Sequence, residues 1–466
     1  MSDIKDYVDF DASPSEVIEA LKDKSVDVPS WRHLAEMYDY RCHPILQDHT
    51  NLRDKIRADG TVEKSSRISI GMERLLVRRL SEFMFAIPAR RVYKNTAGSD
   101  HLQEIARALE SIYRVARIDA HNLKRSRRFF ACCEMATFWY AVKHPNRLYG
   151  FESDFKLRCR TFTPMDGVGL YPLFDERGDL LALSLEYTVT RRNETRTFFE
   201  TWTSDRHYKW ETTDGCREVS APEEIVIGKI PGVYLHRPEA VYEEVSELRK
   251  EIEYTLSRNS NVIAYNAAPI LKIIGTLVGG ERRGEDQRIF RLSEGGNLEY
   301  VSWQQAIEAL KYNVGELKEL FWALGQMPDI SFSNMQSLGN IGFDARQTLL
   351  TDAHLKVGDE SGDFIEFFDR ELNVVKAFLG ALRPDWKDGL AELEVEHVIT
   401  PYIQRNESTE IETRMKANGG KALESRLESI ERLGLSSDPQ ATLDRIRKEE
   451  RQDAAGQTRS SMESYF

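Results

Sequence analysis

The chain has 466 residues, of which 41% are hydrophobic and 30% charged, and its formal net charge is −12. That length suits two or three structural units with ample core, and an acidic whole argues against a protein that clings tightly to DNA, though not against one that DNA slides past. No stretch approaches the roughly 20 apolar residues that span a bilayer, and the acidic start Met-Ser-Asp-Ile-Lys-Asp lacks the apolar core of a signal peptide, so the chain reads as made in the cytoplasm and kept there or in something assembled there.

The charge is unevenly spread. Residues 53–128 hold 18 Lys and Arg against 9 Asp and Glu, leaving 46 bases and 67 acids elsewhere. Lys124, Arg125, Arg127 and Arg128 form the densest basic cluster, which fits a solvated face, an acidic neighbouring subunit or DNA. The five cysteines (Cys42, Cys132, Cys133, Cys159, Cys216) give neither a disulfide framework nor a C-x-x-C pair and read as buried thiols.

In chain order, the first 150 residues read mainly helical. Met72 to Phe85 repeats apolar residues at three and four and stops near Pro88, where helix continuation is sterically blocked. His101 to Arg117 predicts a second helix and Asp119 to Tyr140 a third. From Phe155 the period changes to two. Lys156–Phe162, Leu180–Val189, Thr195–Thr203 and Arg206–Trp210 predict strands, with turns at Asp175–Asp179 and Thr213–Gly215, in one antiparallel meander ending near Ile230. Pro238 to about Asn266 predicts a long helix with Val241, Val245, Leu248, Ile252 and Leu256 on one stripe. A small strand unit follows: Ile270–Ile274 ends at Gly275, and Arg288–Leu292 turns through Gly295-Gly-Asn into Leu298–Val301.

Trp303 to Leu324 is again helical, with Ala306, Ile307, Leu310, Val314, Leu317 and Phe321 on its stripe. Residues 325–345 then break the pattern. Their only charges are Asp329 and Asp344, they carry three Ser, two Asn and two Gln, and they include Gly339 and Gly342. Plain helix-to-helix turns run to roughly 2–8 residues, so this soft segment reads as functional. A helix from about Arg346 to Ala381 follows, roughly 54 Å long at 1.5 Å per residue, with glycines at 358 and 362 that allow a kink. Leu393–Thr400 predicts a late strand. The charged end predicts helices at Thr409–Ala417, Gly420–Leu433 and Asp438–Arg451, then a polar tail, Gln452–Phe466, that reads as disordered. Helices, then strands, then helices point to an α+β fold that is predominantly helical.

Three segments imitate catalytic motifs. Gly419-Gly-Lys421 would need Gly at 415 and Ser or Thr at 422 to be a phosphate loop, and those positions hold Met415 and Ala422. Gly275–Gly284 is glycine-rich and basic but opens no helix, so it suits a hairpin tip better than a dinucleotide site. Asp385 with Glu392, Glu394 and Glu396 resembles a nuclease carboxylate cluster that would bind Mg²⁺, but the expected E-x-K reads Glu394-Val-Glu396. No H-E-x-x-H spacing or Ser nucleophile elbow occurs, so the chain reads as no enzyme.

The order of these parts resembles the portal, or head-to-tail connector, proteins of tailed double-stranded DNA phages, most clearly from 238 to 381. Arg258-Asn-Ser-Asn-Val-Ile-Ala-Tyr-Asn-Ala-Ala-Pro and Gln326-Met-Pro-Asp-Ile-Ser-Phe-Ser-Asn are similar to that family's text. The resemblance implies a portal fold: a wing over 1–237, a first stem helix at 238–266, a clip at 267–302 and a second stem helix at 303–330. A tunnel loop at 331–345, a long wing helix with a strand at 346–402, and a helical crown with a disordered tail at 403–466 complete it. It also implies a homo-oligomeric ring, usually a dodecamer, at one capsid vertex of the virion, assembled in the host cytoplasm. Double-stranded DNA would be packaged and ejected through that ring. The implied partners are terminase, a head-completion or tail adaptor protein, and the major capsid and scaffolding proteins, with no cofactor, metal or membrane.

On that footing, Ser331, Ser333, Asn334, Gln336, Ser337, Gly339, Asn340 and Gly342 are expected in the DNA channel. Arg282, Arg283, Arg288 and Arg291 are expected at the clip, docking a partner or touching DNA. In the first stem helix region Glu239, Glu243, Glu244, Glu247, Glu251 and Glu253 outnumber Arg249, Lys250 and Arg258. Such an acidic wall repels phosphates over a Debye length of roughly 8 Å and would keep DNA centred. The alternatives are a Mg²⁺-dependent nuclease using Asp385 and the Glu392–Glu396 strand, or a phage structural adaptor without a channel.

Overall fold

The structure, a computed structural model, describes residues 4–23, 26–56, 59–96, 98–266, 270–275, 277–282, 288–292, 295–301, 305–330, 348, 350–402, 407–419, 423–434, 436 and 439–463. The chain divides into two units, one of residues 1–336 and 349–402 and one of residues 337–348 and 403–466. Helices and strands are both extensive, and the fold is α+β. No helix among the described residues is long and apolar enough to cross a membrane.

The first unit opens with α1 (Pro14–Lys22), α2 (Trp31–Tyr38) and a short hairpin of β1 (Lys55–Ile56) and β2 (Val62–Glu63). Then come α3 (Met72–Phe85), β3 (Arg90–Tyr93), α4 (Asp100–Ala116) and α5 (Ile118–Cys132). The stripe read from the sequence is the face that α3 buries: Leu76, Val77, Leu80 and Met84 are fully enclosed. The predicted helix through Tyr140 is overturned. Cys133, in the left-handed region at φ 61°, ends α5, and the chain turns into β4 (Glu134–Asn146). Residues 134–139 are buried on both faces, so they show no alternation to mark them as strand.

β5 (Ser153–Phe162), β6 (Gly169–Phe174), β7 (Leu180–Arg191), β8 (Glu194–Trp202), β9 (Arg206–Glu211), β10 (Arg217–Glu218), β11 (Glu223–Glu224) and β12 (Gly232–His236) follow. They do not form one meander. β12, β4 and β5 make one antiparallel sheet, while β6 to β10 make a second in sequence order, with β11 on β9. The sheets meet over Phe138, Leu170, Leu183 and Tyr234. The acidic first segment covers the second sheet, where Val8, Val17 and Leu21 pack on Phe199 and Trp210.

α6 (Ser246–Asn266) starts eight residues later than the sequence suggests. Tyr242 is the reason. Its ring is fully buried and its hydroxyl donates to the Ala131 carbonyl at 2.8 Å, so residues 240–246 form tight i→i+3 turns instead of a helix. β13 (Ile270–Ile274), β14 (Leu277–Arg282), β15 (Arg288–Leu292) and β16 (Asn297–Val301) nest as two ladders, β13 with β16 and β14 with β15. The hairpin expected between Arg288–Leu292 and Leu298–Val301 is therefore replaced by pairing of each with an earlier strand.

α7 (Gln305–Leu324) packs back on α6, and α8 (Thr351–Leu382) runs unbroken through Gly358 and Gly362. Phe364 of α8 sits at the centre of the main core, with the rings of Phe85, Phe129 and Phe130 at 5.1, 5.5 and 5.7 Å. α9 (Lys387–Glu392) and β17 (Val395–Val398) close the unit, β17 pairing with β3. The second unit holds α10 (Glu407–Asn418), α11 (Arg426–Leu433) and α12 (Pro439–Glu463). α11 begins with a capping box, in which the Ser425 amide donates to Glu428 Oε2 at 2.9 Å and the Glu428 amide to Ser425 Oγ at 3.1 Å. α12 continues through residues 452–463, where disorder was expected; Ala454, Ala455, Gln457 and Arg459 are helix formers that extend it.

Candidate DNA-channel and docking elements

One helix, α3, holds the end of α7 and the first turn of α8, the two helices on either side of the segment that the sequence singles out. At the outgoing end α7 closes in a Schellman motif. The Met327 amide donates to the Trp322 carbonyl at 3.1 Å and the Gln326 amide to the Ala323 carbonyl at 3.1 Å, with Gln326 at φ 51°. Met327 and Trp322, the residues that touch across such a motif, are both buried. A Cβ at Gly325 would meet Leu76 Cδ1 of α3 at 2.5 Å and the Phe321 carbonyl at 3.0 Å, so a larger residue would force the buried Leu76 side chain to shift. The Arg79 guanidinium then lies 4.3 Å from the Trp322 ring and donates to the Pro328 carbonyl at 2.7 Å, with Asp329 at 3.5 Å. Burial lowers the pKa of Arg79, and Asp329 works against that shift. At the returning end, Phe83 of α3 faces the rings of His354 and Tyr402 at 6.3 and 6.1 Å, and its carbonyl accepts from the Tyr402 amide at 2.7 Å.

α6 is fixed to the same helix by buried charge. Arg249 Nε donates to Glu73 Oε1 of α3 at 2.6 Å, and Nη1 to Glu253 Oε2 at 2.8 Å, with all three side chains at most 1% exposed. Burial pushes the Glu73 carboxyl up, against the pull of Arg249. Burial alone would lower Arg249, but the two carboxylates beside it raise it instead. The His43 ring bridges Glu253 Oε1 at 2.6 Å and the Met37 carbonyl at 3.0 Å.

Residues 66–70 run along α6 as a polar strap. The amides of Ser66, Ile68 and Ile70 donate to Asn261 Oδ1, Ser257 Oγ and Glu253 Oε1 at 2.8, 2.9 and 2.7 Å. Every second amide meets every fourth helical residue, because about 6 Å of helical rise per four residues nearly equals two residues of extended chain. Arg67 ties the strap to its own loop through the Leu52 carbonyl at 2.7 Å and Asp54 at 2.9 Å.

A family model, phage portal protein of the SPP1 Gp6-like kind, matches residues 21–456. The chain belongs to that family. Its role is that of a structural portal protein, a component of the phage particle. One solved structure, "Neck of empty GTA particle computed with C6 symmetry", overlaps 78% of this chain and 89% of that chain at 12% identity and a TM-score of 0.37, a likeness too loose to carry an argument. No curated protein matches significantly.

Within this portal chain the expected channel residues Ser331, Ser333, Asn334, Gln336, Ser337, Gly339, Asn340 and Gly342 lie outside the described residues, as does Arg283. Arg282 and Arg288 are cross-strand partners on β14 and β15, and Arg291 pairs in register with Gly279. The acidic excess of this region persists on the surface, because burial removes one acid and one base. Glu253 and Arg249 face the core, leaving Glu247 and Glu251 on the exposed face of α6, with Glu239 and Glu244 exposed just before it.

The basic cluster is mostly spent in pairs: Arg125 with Glu371 at 2.7 Å, Arg127 with Glu82 at 2.6 Å and Arg128 with Asp166 at 2.7 Å. The nuclease carboxylates are separated. Both oxygens of Asp385 accept from Arg383, at 2.9 and 2.7 Å, and Glu396 pairs with Lys94 at 2.7 Å. Among the described residues no group of His, Cys, Asp and Glu is placed to hold a metal ion. Cys132, Cys133 and Cys159 are inert in this setting, since burial pushes each thiol up to about 12.

Proposed function

We propose that copies of this chain close head to tail into a ring, dodecameric by family resemblance, at one capsid vertex. The ring is a passive conduit through which genomic DNA is packaged and later ejected, driven by the ATPase of a terminase docked on it and later sealed by a tail adaptor. α6 and α7 are its stem, the paired strands β13–β16 its clip, residues 331–345 its tunnel loop and residues 403–466 its crown.

The packing on α3 of both helices that flank residues 331–345 in sequence, α7 and α8, is the observation that carries this reading. Arg79 and Leu76 hold the end of α7 and Phe83 the first turn of α8, so both helices are fixed on one element, with a soft, nearly neutral sequence between them. Ser, Asn and Gln there would touch a phosphate backbone weakly and release it, and exposed Glu247 and Glu251 on α6 would discourage sticking. A ring needs a heterologous interface whose rotation closes, which long rigid helices such as the 32-residue α8 are suited to provide.

Deleting residues 334–342 spares Leu76, Arg79, Phe83 and their partners on α7 and α8, and will leave ring assembly intact while the DNA content of particles falls. Equal DNA content in mutant and wild-type particles, measured by nuclease-protected DNA per capsid, defeats the tunnel-loop assignment.

A further inference from the structure

A cleft of about 1500 Å³ opens on the first unit between α5, the β4–β5 sheet, β7 and the C-terminal end of α8. Its lining is unusual for a surface left to water. Val226 is 84% exposed, and Tyr140, Phe155 and Met165 are also exposed. Lys124 and Arg160 stand exposed at its rim, and Arg158 projects from the same side of β5 two residues before Arg160. Lys124 and Arg158 have no acidic partner within 4 Å among the described residues. Of the four acids that line the cleft, Asp166 and Glu200 are bound, to Arg128 at 2.7 Å and to Lys209, while Glu223 and Glu224 of β11 are exposed. The cleft therefore offers apolar surface with free positive charge confined to its α5–β5 edge, where Lys124, Arg158 and Arg160 stand.

The complement lies on α8. Asp352, Leu355, Asp359, Asp363 and Glu366 recur at helical spacing on its exposed face, over roughly 21 Å of helix. Asp352, Asp359 and Asp363 form no ion pair within 4 Å among the described residues, and Leu355 between the first two is 67% exposed. Burial holds the Asp363 carboxyl above its usual range, and although Arg237 pulls it down, neighbouring Glu366 and Asp359 add to the rise. None of these residues lines the cleft of its own chain, and an unbroken helix cannot fold back into it.

We infer that the acidic ridge of α8 on one subunit docks against the basic α5–β5 edge of the cleft on the next copy. Two faces of one body that complement each other but cannot meet within it define a head-to-tail contact. The apolar lining favours a protein occupant over DNA, because a phosphate backbone gains nothing from Val226 or Met165. This inference rests on the ring reading above and names the surface that closes it.

The test uses the full-length chain, with ring fraction read by sedimentation velocity and negative-stain imaging. K124E/R158E and D359K/D363K will each lower the ring fraction roughly tenfold or more, since like charges brought together oppose association. The quadruple variant, which restores opposite signs, will recover rings. Circular dichroism melting of each variant separates lost docking from lost folding. Rings that persist in both double variants overturn the inference while leaving the portal reading in place. Rings that persist in K124E/R158E while DNA retention is lost also overturn it, and assign the cleft to DNA. A wild-type chain that forms no rings even beside its capsid and scaffolding partners defeats the ring reading itself.

Discussion

Arg249→Ala will destabilise the first unit by about 3–5 kcal/mol, the usual cost of stripping the partner from buried charge. Arg249 is the cation between Glu73 on α3 and Glu253 on α6, and no part of the three side chains reaches water to any useful extent. Removing it leaves two carboxylates enclosed, with His43 beside only one of them. Lysine will not rescue the site, because a single ammonium cannot reproduce the fork that reaches both carboxylates at once. Replacing Arg249, Glu73 and Glu253 together by well-packed apolar residues will cost far less than the single change, since the desolvation penalty leaves with the charges. Urea unfolding of the three variants measures this directly. A loss below about 1 kcal/mol for Arg249→Ala, the level of an exposed pair, contradicts the role assigned to this node in fixing α6.

Glu371→Ala will be comparably severe. Its carboxylate accepts two bonds from Arg125, at 2.7 and 2.8 Å, and one from Trp139 Nε1 at 2.9 Å. Arg125 is 1% exposed and lies 4.6 Å from the Phe367 ring centre and 5.3 Å from that of Phe368, so it has no route to solvent once its partner is gone. The expected loss is again about 3–5 kcal/mol. Glu371→Gln will lose less, because it keeps an acceptor for one donor while setting an amide group against the guanidinium. Since Glu371 joins α5 and β4 to α8, thermal melting of the Ala variant will also show a lower midpoint.

Both nodes show why part of the molecule is legible in its sequence and part is not. α4 and α8 announce themselves because each buries an apolar stripe and leaves much of the rest wet, so apolar spacing survives in the text. β4 does not, because burial on both faces erases alternation. The start of α6 is masked by Tyr242, whose burial overrides a helical pattern that continues back to Pro238. Arg249 and Glu253 look like a solvent-facing pair four residues apart, and Arg125 looks like one more member of a basic patch. Their partners Glu73 and Glu371 lie 176 and 246 residues away, and nothing local marks a charge as buried. The strap at 66–70 is hidden for the same reason, since its donors are backbone amides that any sequence supplies. The soft segment after α7 was visible from composition alone. That the helices on either side of it both rest on α3, through Arg79 and Phe83, was not, because that depends on where α3 lies in space.

The central claim is that this chain forms a ring traversed by DNA, with residues 331–345 nearest the axis. A reconstruction of the unique capsid vertex in packaged particles tests it most directly. The account predicts a closed ring of this chain with duplex density along its axis and that segment as the innermost protein. A vertex where this chain forms no ring, or where other residues line the narrowest point, would contradict it.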